Sequence, residues 1–220
     1  MLGWLRAGTF ALAVALSTGL VAQEQYQAGV HYDLIEPAIH TGISDRVVVT
    51  EFFSYGCGHC YNFEPLLESF ESRLPEGLVV QRTPVIWNNN PGMKLLAKTY
   101  YAVQVLDVFE PVHGAVFNTI HRQRKRLSSP DAVRAVFVEN GVEAKDFDRA
   151  FGSFGIDSMV RQAAARTKGA RVQGTPSLMV NGKYRIDTGQ AGSQANMLKI
   201  AAFLADKELA RLERAANAAD

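Results

Sequence analysis

The sequence predicts an α/β protein in which a long helical segment interrupts a sheet. Strand patterns occur at 47–53 and 78–85, before that segment, and again at 177–180 and 183–186, after it. Between 91 and 168 the apolar residues recur at helical spacing. A helical stretch of roughly 75 residues is the size of an inserted subdomain, so we expect a sheet domain with a helical insertion.

The elements before the insertion begin with a short strand at 32–35, which Pro37 ends. The run at 47–53 is β-branched and aromatic on both faces, as in a central parallel strand that is covered on both sides. The apolar spacing then becomes helical, which predicts a helix from Gly58 to about Arg73 with a kink at Pro65.

The insertion is expected to contain five helices, separated by proline and glycine signals. Their predicted ranges are 93–109, 111–127, 131–140, 144–151 and 155–167. Asn181-Gly182 between two apolar runs predicts a β-hairpin, and an amphipathic helix is expected at 193–215. Residues 23–88 and 169–220 would then form the sheet domain, and residues 89–168 the helical subdomain.

Residues 1–22 have the features of a signal peptide. Arg6 is their only charged residue, an apolar run follows to Val21, and Ala22 is small. The run is shorter than the roughly 20 residues that span a bilayer. A membrane anchor that is never cleaved is the alternative, since Leu20 is an imperfect residue two places before Ala22. We expect export, with cleavage between Ala22 and Gln23.

Charge and length limit the functional classes. Lys and Arg total 23 and Asp and Glu total 22, so removal of the segment that contains Arg6 leaves a neutral chain. A neutral chain has no global attraction for nucleic acid or an anionic membrane, and we expect no nucleic-acid partner. Export also places the cysteines in an oxidising compartment, where a disulfide persists.

Cys57 and Cys60 are the only cysteines, and they form a C-x-x-C pair where a helix is expected to begin. The first backbone N–H groups and the positive helix end would point at the Cys57 sulfur. Cys57 is therefore predicted to be a low-pKa nucleophile and Cys60 the shielded resolving thiol. The alternatives are a static clip, which would stabilise the chain by only about 2 kcal/mol, and a metal site, for which ligands are too few.

Two further residues are candidates for the same chemistry. As a cation or hydrogen-bond donor, His59 would favour the Cys57 thiolate, the alternative being an exposed and inert histidine. Glu51 is the one acid on an apolar strand, and burial would raise its pKa, so it could accept the proton that Cys60 loses. The alternative is that strand twist carries Glu51 to solvent. The other four histidines show no pattern and are assigned no role.

Two segments carry weaker signals. Thr175-Pro176 opens a strand, where proline is tolerated, and a trans bond is the default from sequence alone. The basic run at 121–126 falls at the end of a predicted helix. We interpret that run as a solvated helix end, with a docking patch for an acidic partner or a membrane surface as the alternative.

In this order, the pieces resemble the DsbA family of periplasmic thiol:disulfide oxidoreductases. The segments 51–64 and 172–184 carry the resemblance most specifically. It implies a thioredoxin-like fold, a central mixed sheet flanked by helices with a helical insertion, and the attacking and resolving roles of Cys57 and Cys60. It also implies that Pro176 is cis and that the Thr175 backbone pairs with an extended substrate peptide. Glu51 and Glu64 match acidic positions of relatives.

The resemblance implies a monomer that needs no cofactor beyond the Cys57–Cys60 disulfide, no metal, and the periplasm as its compartment. Its partners would be exported proteins with free thiols, and a membrane quinone-linked DsbB-like oxidase that reoxidises it. Gly58 departs from the proline common in relatives, so we expect a less acidic Cys57 and a milder oxidant. The alternative functions are a disulfide isomerase or reductase, and a non-catalytic binding module.

Overall fold

The computed structural model describes residues 25–218, so the predicted signal peptide lies outside the described residues. Five strands form one mixed sheet in the order β1-β5-β4-β2-β3. The strands are β1 (Asp33–Leu34), β2 (Val47–Phe53), β3 (Leu78–Pro84), β4 (Ser177–Val180) and β5 (Tyr184–Asp187). The helices are α1 (Gly58–Glu71), α2 (Pro91–Val105), α3 (Phe109–His121), α4 (Pro130–Glu139), α5 (Ala144–Phe151), α6 (Phe154–Gly169), α7 (Thr188–Ala191) and α8 (Gln194–Asn217).

The strand β2 lies inside the sheet, and all seven of its residues are buried. It pairs in parallel with β3 and antiparallel with β4. The expectation of a parallel central strand is therefore correct on one side only, because the hairpin of β4 and β5 returns the chain in the opposite direction along the other side.

Two large apolar clusters cover the face of the sheet to which Val49 and Phe53 point, and a third, with Phe52 and Met179, covers the opposite face, since successive side chains of a strand point to opposite faces. The first lies between the sheet, α1 and α8, and includes Val49, Phe63 and Ile200. The second joins Phe53 and Cys60 to the apolar faces of the insertion helices. Because β2 is covered on both faces, its near-continuous apolar sequence is explained.

The predicted helices are present, and several of their ends differ from the prediction. The helix α2 ends at Val105 rather than 109, and α3 ends at His121 rather than 127. Asp107 and Arg124 have φ angles of 53° and 56°, in the left-handed region that cannot continue a right-handed helix. Most of the basic run at 121–126 is therefore irregular chain after α3 rather than a helix end. The prediction missed the short α7.

The helical insertion confirms the predicted fold class. The helices α2 to α6 all fall between β3 and β4 in the chain, and strands that precede and follow them in sequence form one sheet. Within residues 25–218, no helix combines the length and the apolar character that a membrane span requires.

Candidate active site

Cys57 is the N-cap residue of α1, at the point where the chain leaves β2. Its backbone is extended, with φ −96° and ψ 116°, and no side chain caps the helix start. The uncapped N–H groups are therefore free to face the Cys57 sulfur, and those of His59 and Cys60 form hydrogen bonds to it. Cys57 is half-buried, whereas Cys60, one turn into the helix, is completely buried.

The surroundings of Cys57 lower its pKa from 9.0 to about 5. The hydrogen bond from the Cys60 side chain contributes most, and the Thr175 side chain and the two backbone N–H groups add to it against the opposing effect of burial. Each of these donors stabilises the thiolate rather than the thiol. Cys57 is therefore ionised at neutral pH.

The pKa of Cys60 moves in the opposite direction. Burial raises it most, and the hydrogen bond that Cys60 donates to Cys57 and the negative charge of Glu51 raise it further. One thiol of the pair is a half-exposed nucleophile, and its buried neighbour keeps its proton until a base removes it. This asymmetry is what stepwise thiol–disulfide exchange requires.

Thr175 lies directly beside Cys57, and Pro176 follows it in the chain. Their peptide bond is cis, so the default expectation of a trans bond was wrong and the conformation implied by the resemblance is confirmed. The Cys57 Sγ lies 3.3 Å from the Thr175 carbonyl oxygen, to which the neutral thiol donates. Pro176 is buried, and the strand β4 begins at the next residue.

Glu51 is completely buried on β2, so the alternative that strand twist carries it to solvent is wrong. Burial raises its pKa well above the ordinary value, and the negative charge of Glu64 adds to this effect. The Arg82 Nε lies 3.7 Å from Glu51 Oε2, yet neither carboxyl oxygen of Glu51 has a hydrogen-bond partner in the described part of the chain. The predicted rise of the Glu51 pKa by burial is confirmed.

A charged cluster below the cysteines holds Arg82 in place. Arg82 Nη2 donates to Glu64 at 2.7 Å and to Glu71 at 2.6 Å. Burial alone would raise the pKa of Glu64, but His113 and Arg82 lower it. Arg82 was not among the residues that the sequence singled out. The available signal was strand register: Arg82 on β3 is paired with Glu51 on β2, and residues paired across neighbouring strands lie side by side.

Three histidines have very different surroundings. The predicted candidate His59 is exposed, and its backbone carbonyl accepts a hydrogen bond of 2.7 Å from Gln194. His113 is buried, with its Nδ1 2.8 Å from the Tyr55 hydroxyl. His121 donates from Nε2 to the Tyr55 carbonyl at 2.8 Å and stacks on Tyr61.

His113 and His121 were assigned no role from the sequence, yet they fix the turn that leads into the cysteines. Their contacts with Tyr55 join residues that are 58 and 66 positions apart in the chain, which no local pattern reveals. Across residues 25–218, no group of three or more His, Cys, Asp or Glu side chains is placed to hold a metal ion.

The fold and the two unequal thiols define a class: this is a thiol:disulfide oxidoreductase built on a thioredoxin-like sheet. A family model described as a DSBA-like thioredoxin domain matches residues 48–199. The chain therefore belongs to the DsbA family.

Curated relatives and solved structures agree with this assignment. The thiol:disulfide interchange protein DsbA of Pseudomonas aeruginosa is 33% identical over 211 residues, which cover 94% of this chain and 97% of the relative. The protein of the same name from Azotobacter vinelandii is 29% identical over 212 residues, covering 94% and 96%. The crystal structure of Pseudomonas aeruginosa DsbA matches with a TM-score of 0.81 and 31% identity, covering 86% of this chain and 97% of that one.

Proposed function

We propose that the Cys57–Cys60 disulfide oxidises pairs of thiols in exported proteins. A substrate thiolate attacks Cys57 Sγ, forming a mixed disulfide, and the electron pair of the broken bond leaves on Cys60, which takes up a proton. The second substrate thiol then attacks the substrate sulfur, which releases the Cys57 thiolate. The substrate loses two electrons and the protein gains them. The opposite pKa shifts of Cys57 and Cys60 carry this proposal, because a stabilised leaving thiolate favours the second step.

Glu51 is assigned the proton transfer at Cys60. Its carboxyl group is buried with a raised pKa, and its charge acts on Cys60. A carboxyl group with a pKa nearer neutrality exchanges protons more effectively than an ordinary one. In the step described above, Glu51 gives its proton to the Cys60 thiolate, and in the reverse direction it takes that proton back.

His59 supports the Cys57 thiolate through its backbone N–H, which hydrogen-bonds to the sulfur. Its exposed imidazole is free to contact the substrate, and it favours the thiolate when it is protonated. Thr175 and Pro176 form the substrate-binding edge. We assign to the Thr175 backbone the pairing with an extended substrate segment, since it lies beside Cys57 at the start of β4.

We infer that the protein acts in the periplasm, as a monomer, after removal of residues 1–22. In this proposal, residues 23–88 and 169–220 form a thioredoxin-like domain, and residues 89–168 form a helical subdomain. A membrane quinone-linked DsbB-like oxidase would return Cys57 and Cys60 to the disulfide. The neutral mature charge supports a free, exported protein over one held at an anionic membrane.

Oxidation of a reduced dithiol peptide tests the function. The purified oxidised protein should convert the peptide to its disulfide in one stoichiometric turnover, and Cys57→Ser and Cys60→Ser should each abolish the conversion. Reduced protein should react with iodoacetamide at Cys57 well below neutral pH, while Cys60 stays unmodified. Labelling of Cys60 before Cys57, or oxidation by the Cys57→Ser variant, would contradict the assigned roles.

A further inference from the structure

A cleft of about 710 Å³ opens directly on Cys57, and one of its walls is basic. Its apolar surface includes Trp87, which precedes the helical insertion, and Met93 and Leu96 on α2. The segment Arg124-Lys125-Arg126 also lines the cleft, and we call it the basic wall. Thr175 also lines the cleft, with its carbonyl oxygen 3.3 Å from Cys57 Sγ, so a peptide bound at the cysteine would adjoin this cleft.

The basic wall faces the cleft because of the backbone after α3. That helix ends at His121, and the left-handed conformation of Arg124, with φ 56°, turns the chain out of the helix path. The Lys125 N–H then bonds back to the Thr119 carbonyl at 3.0 Å, which fixes the segment against α3. The basic wall is therefore a loop segment held against α3 by a backbone hydrogen bond, and not a fraying helix end.

The charge of the wall is not neutralised inside the protein. All three of its side chains are exposed, and among residues 25–218 no carboxylate lines the cleft. In the part of the chain that the structure describes, no ion pair involves Arg124, Lys125 or Arg126, whereas Arg134 and Lys98 nearby in the insertion are paired with Asp148 and Asp157. Three adjacent cations beside an apolar surface are complementary to an acidic segment that also carries apolar side chains.

We propose that the basic wall selects substrate segments in which acidic residues lie a few positions from the reacting cysteine. This inference rests on the proposed role of the Cys57–Cys60 disulfide. The chemistry at the sulfurs is unchanged: the peptide thiolate bonds to Cys57 Sγ, and the electron pair of the broken bond goes to Cys60. The wall acts earlier, by raising the rate at which an acidic segment docks. Exposed charges act through water, so the preference should fall steeply with added salt.

The test compares three cysteine peptides that differ only at positions two or more residues from the cysteine, which carry Glu, Gln or Lys. Oxidised protein is mixed with each peptide, and mixed-disulfide formation is followed by acid quench and mass spectrometry. Each rate is divided by the rate of the same peptide with 2-hydroxyethyl disulfide, which is neutral. This division removes the effect of the acidic residues on the thiol itself.

We expect the Glu peptide to react about tenfold faster than the Gln peptide at low salt, and the Lys peptide to react more slowly than both. The variant R124Q/K125Q/R126Q should bring the Glu-to-Gln ratio close to one. The matched control R122Q/K145Q/R214Q removes three exposed cations that do not line the cleft, and it should keep the ratio. A ratio taken within one variant is insensitive to a general loss of active protein.

Equal normalised rates for the three peptides would overturn the inference while leaving the proposed function intact. Loss of the ratio in the control triple variant would also overturn it, because net charge rather than the wall would then be responsible. Failure of every peptide to react would instead contradict the proposed function. Sedimentation of the protein with phosphatidylglycerol vesicles, together with equal peptide rates, would assign the wall to a membrane surface and refute the peptide role.

Discussion

Acidification should destabilise the reduced protein through Cys57 in particular. Its pKa falls from 9.0 in the unfolded chain to about 5 in the folded protein. A group whose pKa is lowered by folding adds stability above its unfolded pKa and loses this contribution as the pH falls through its folded pKa. At pH 7 a large part of the contribution is already present, and at pH 4 it is gone.

The size of the effect follows from the two pKa values. At pH 7 the folded thiol is about two pH units above its pKa while the unfolded thiol is still protonated, which corresponds to about 2.7 kcal/mol. Cys57 is half-buried, so solvent screening reduces this value, and we expect about 1–2 kcal/mol. Cys60 contributes nothing in this range, because its raised pKa keeps it protonated in both states.

Urea unfolding of the reduced protein at pH 7 and at pH 4, followed by circular dichroism in the presence of a phosphine reductant, measures the effect. The Cys57→Ser variant is the control, since it keeps every other titrating group. The wild type should lose about 1–2 kcal/mol more than the variant between the two pH values. Equal losses in the two proteins would refute the lowered pKa of Cys57.

Two substitutions test the neighbours of the cysteines. Glu51→Gln should slow the attack of Cys60 on a mixed disulfide by about a hundredfold, the lower end of the usual general-base effect, while attack at Cys57 is retained. Stopped-flow fluorescence separates the two steps. An unaltered rate of attack by Cys60 would remove the proton-transfer role of Glu51. Gly58→Pro should add about 0.4–1 kcal/mol to the free energy of unfolding, because proline restricts the unfolded chain. The folded chain accommodates it, since a side chain at position 58 meets nothing nearer than His121 Nδ1 at 4.0 Å and Cys57 already has the extended backbone that precedes a proline. The same substitution should lower the Cys57 pKa. Thiolate absorbance reports that pKa, and a rise would show that glycine is not what moderates it.

The parts of the site that follow from local sequence were predictable. The change from strand to helical spacing places the start of α1 at Gly58, and with it the unequal positions of Cys57 and Cys60. The apolar surroundings of Glu51 on β2 predict its burial and its raised pKa. Each of these features depends on neighbours within a few residues, where periodicity carries the information.

The parts that depend on distant partners were not predictable in the same way. The charged cluster forms because β3 places Arg82 beside β2 and α1 brings Glu64 onto it. The ends of α2 and α3 depend on Asp107 and Arg124, which adopt left-handed conformations without being glycine. Propensity does not anticipate such residues, because few residues other than glycine adopt this conformation.

The redox potential of the Cys57–Cys60 pair tests the central claim most directly. The protein is equilibrated with defined ratios of reduced and oxidised glutathione, and the fraction of disulfide is counted by mass spectrometry after acid quench. The lowered Cys57 pKa makes the disulfide oxidising, and we expect Gly58 to moderate it, so we predict a potential between about −120 mV, as in strongly oxidising family members, and about −200 mV. A value near −270 mV, as in thioredoxin, would mean a reductant and would contradict the proposed oxidase.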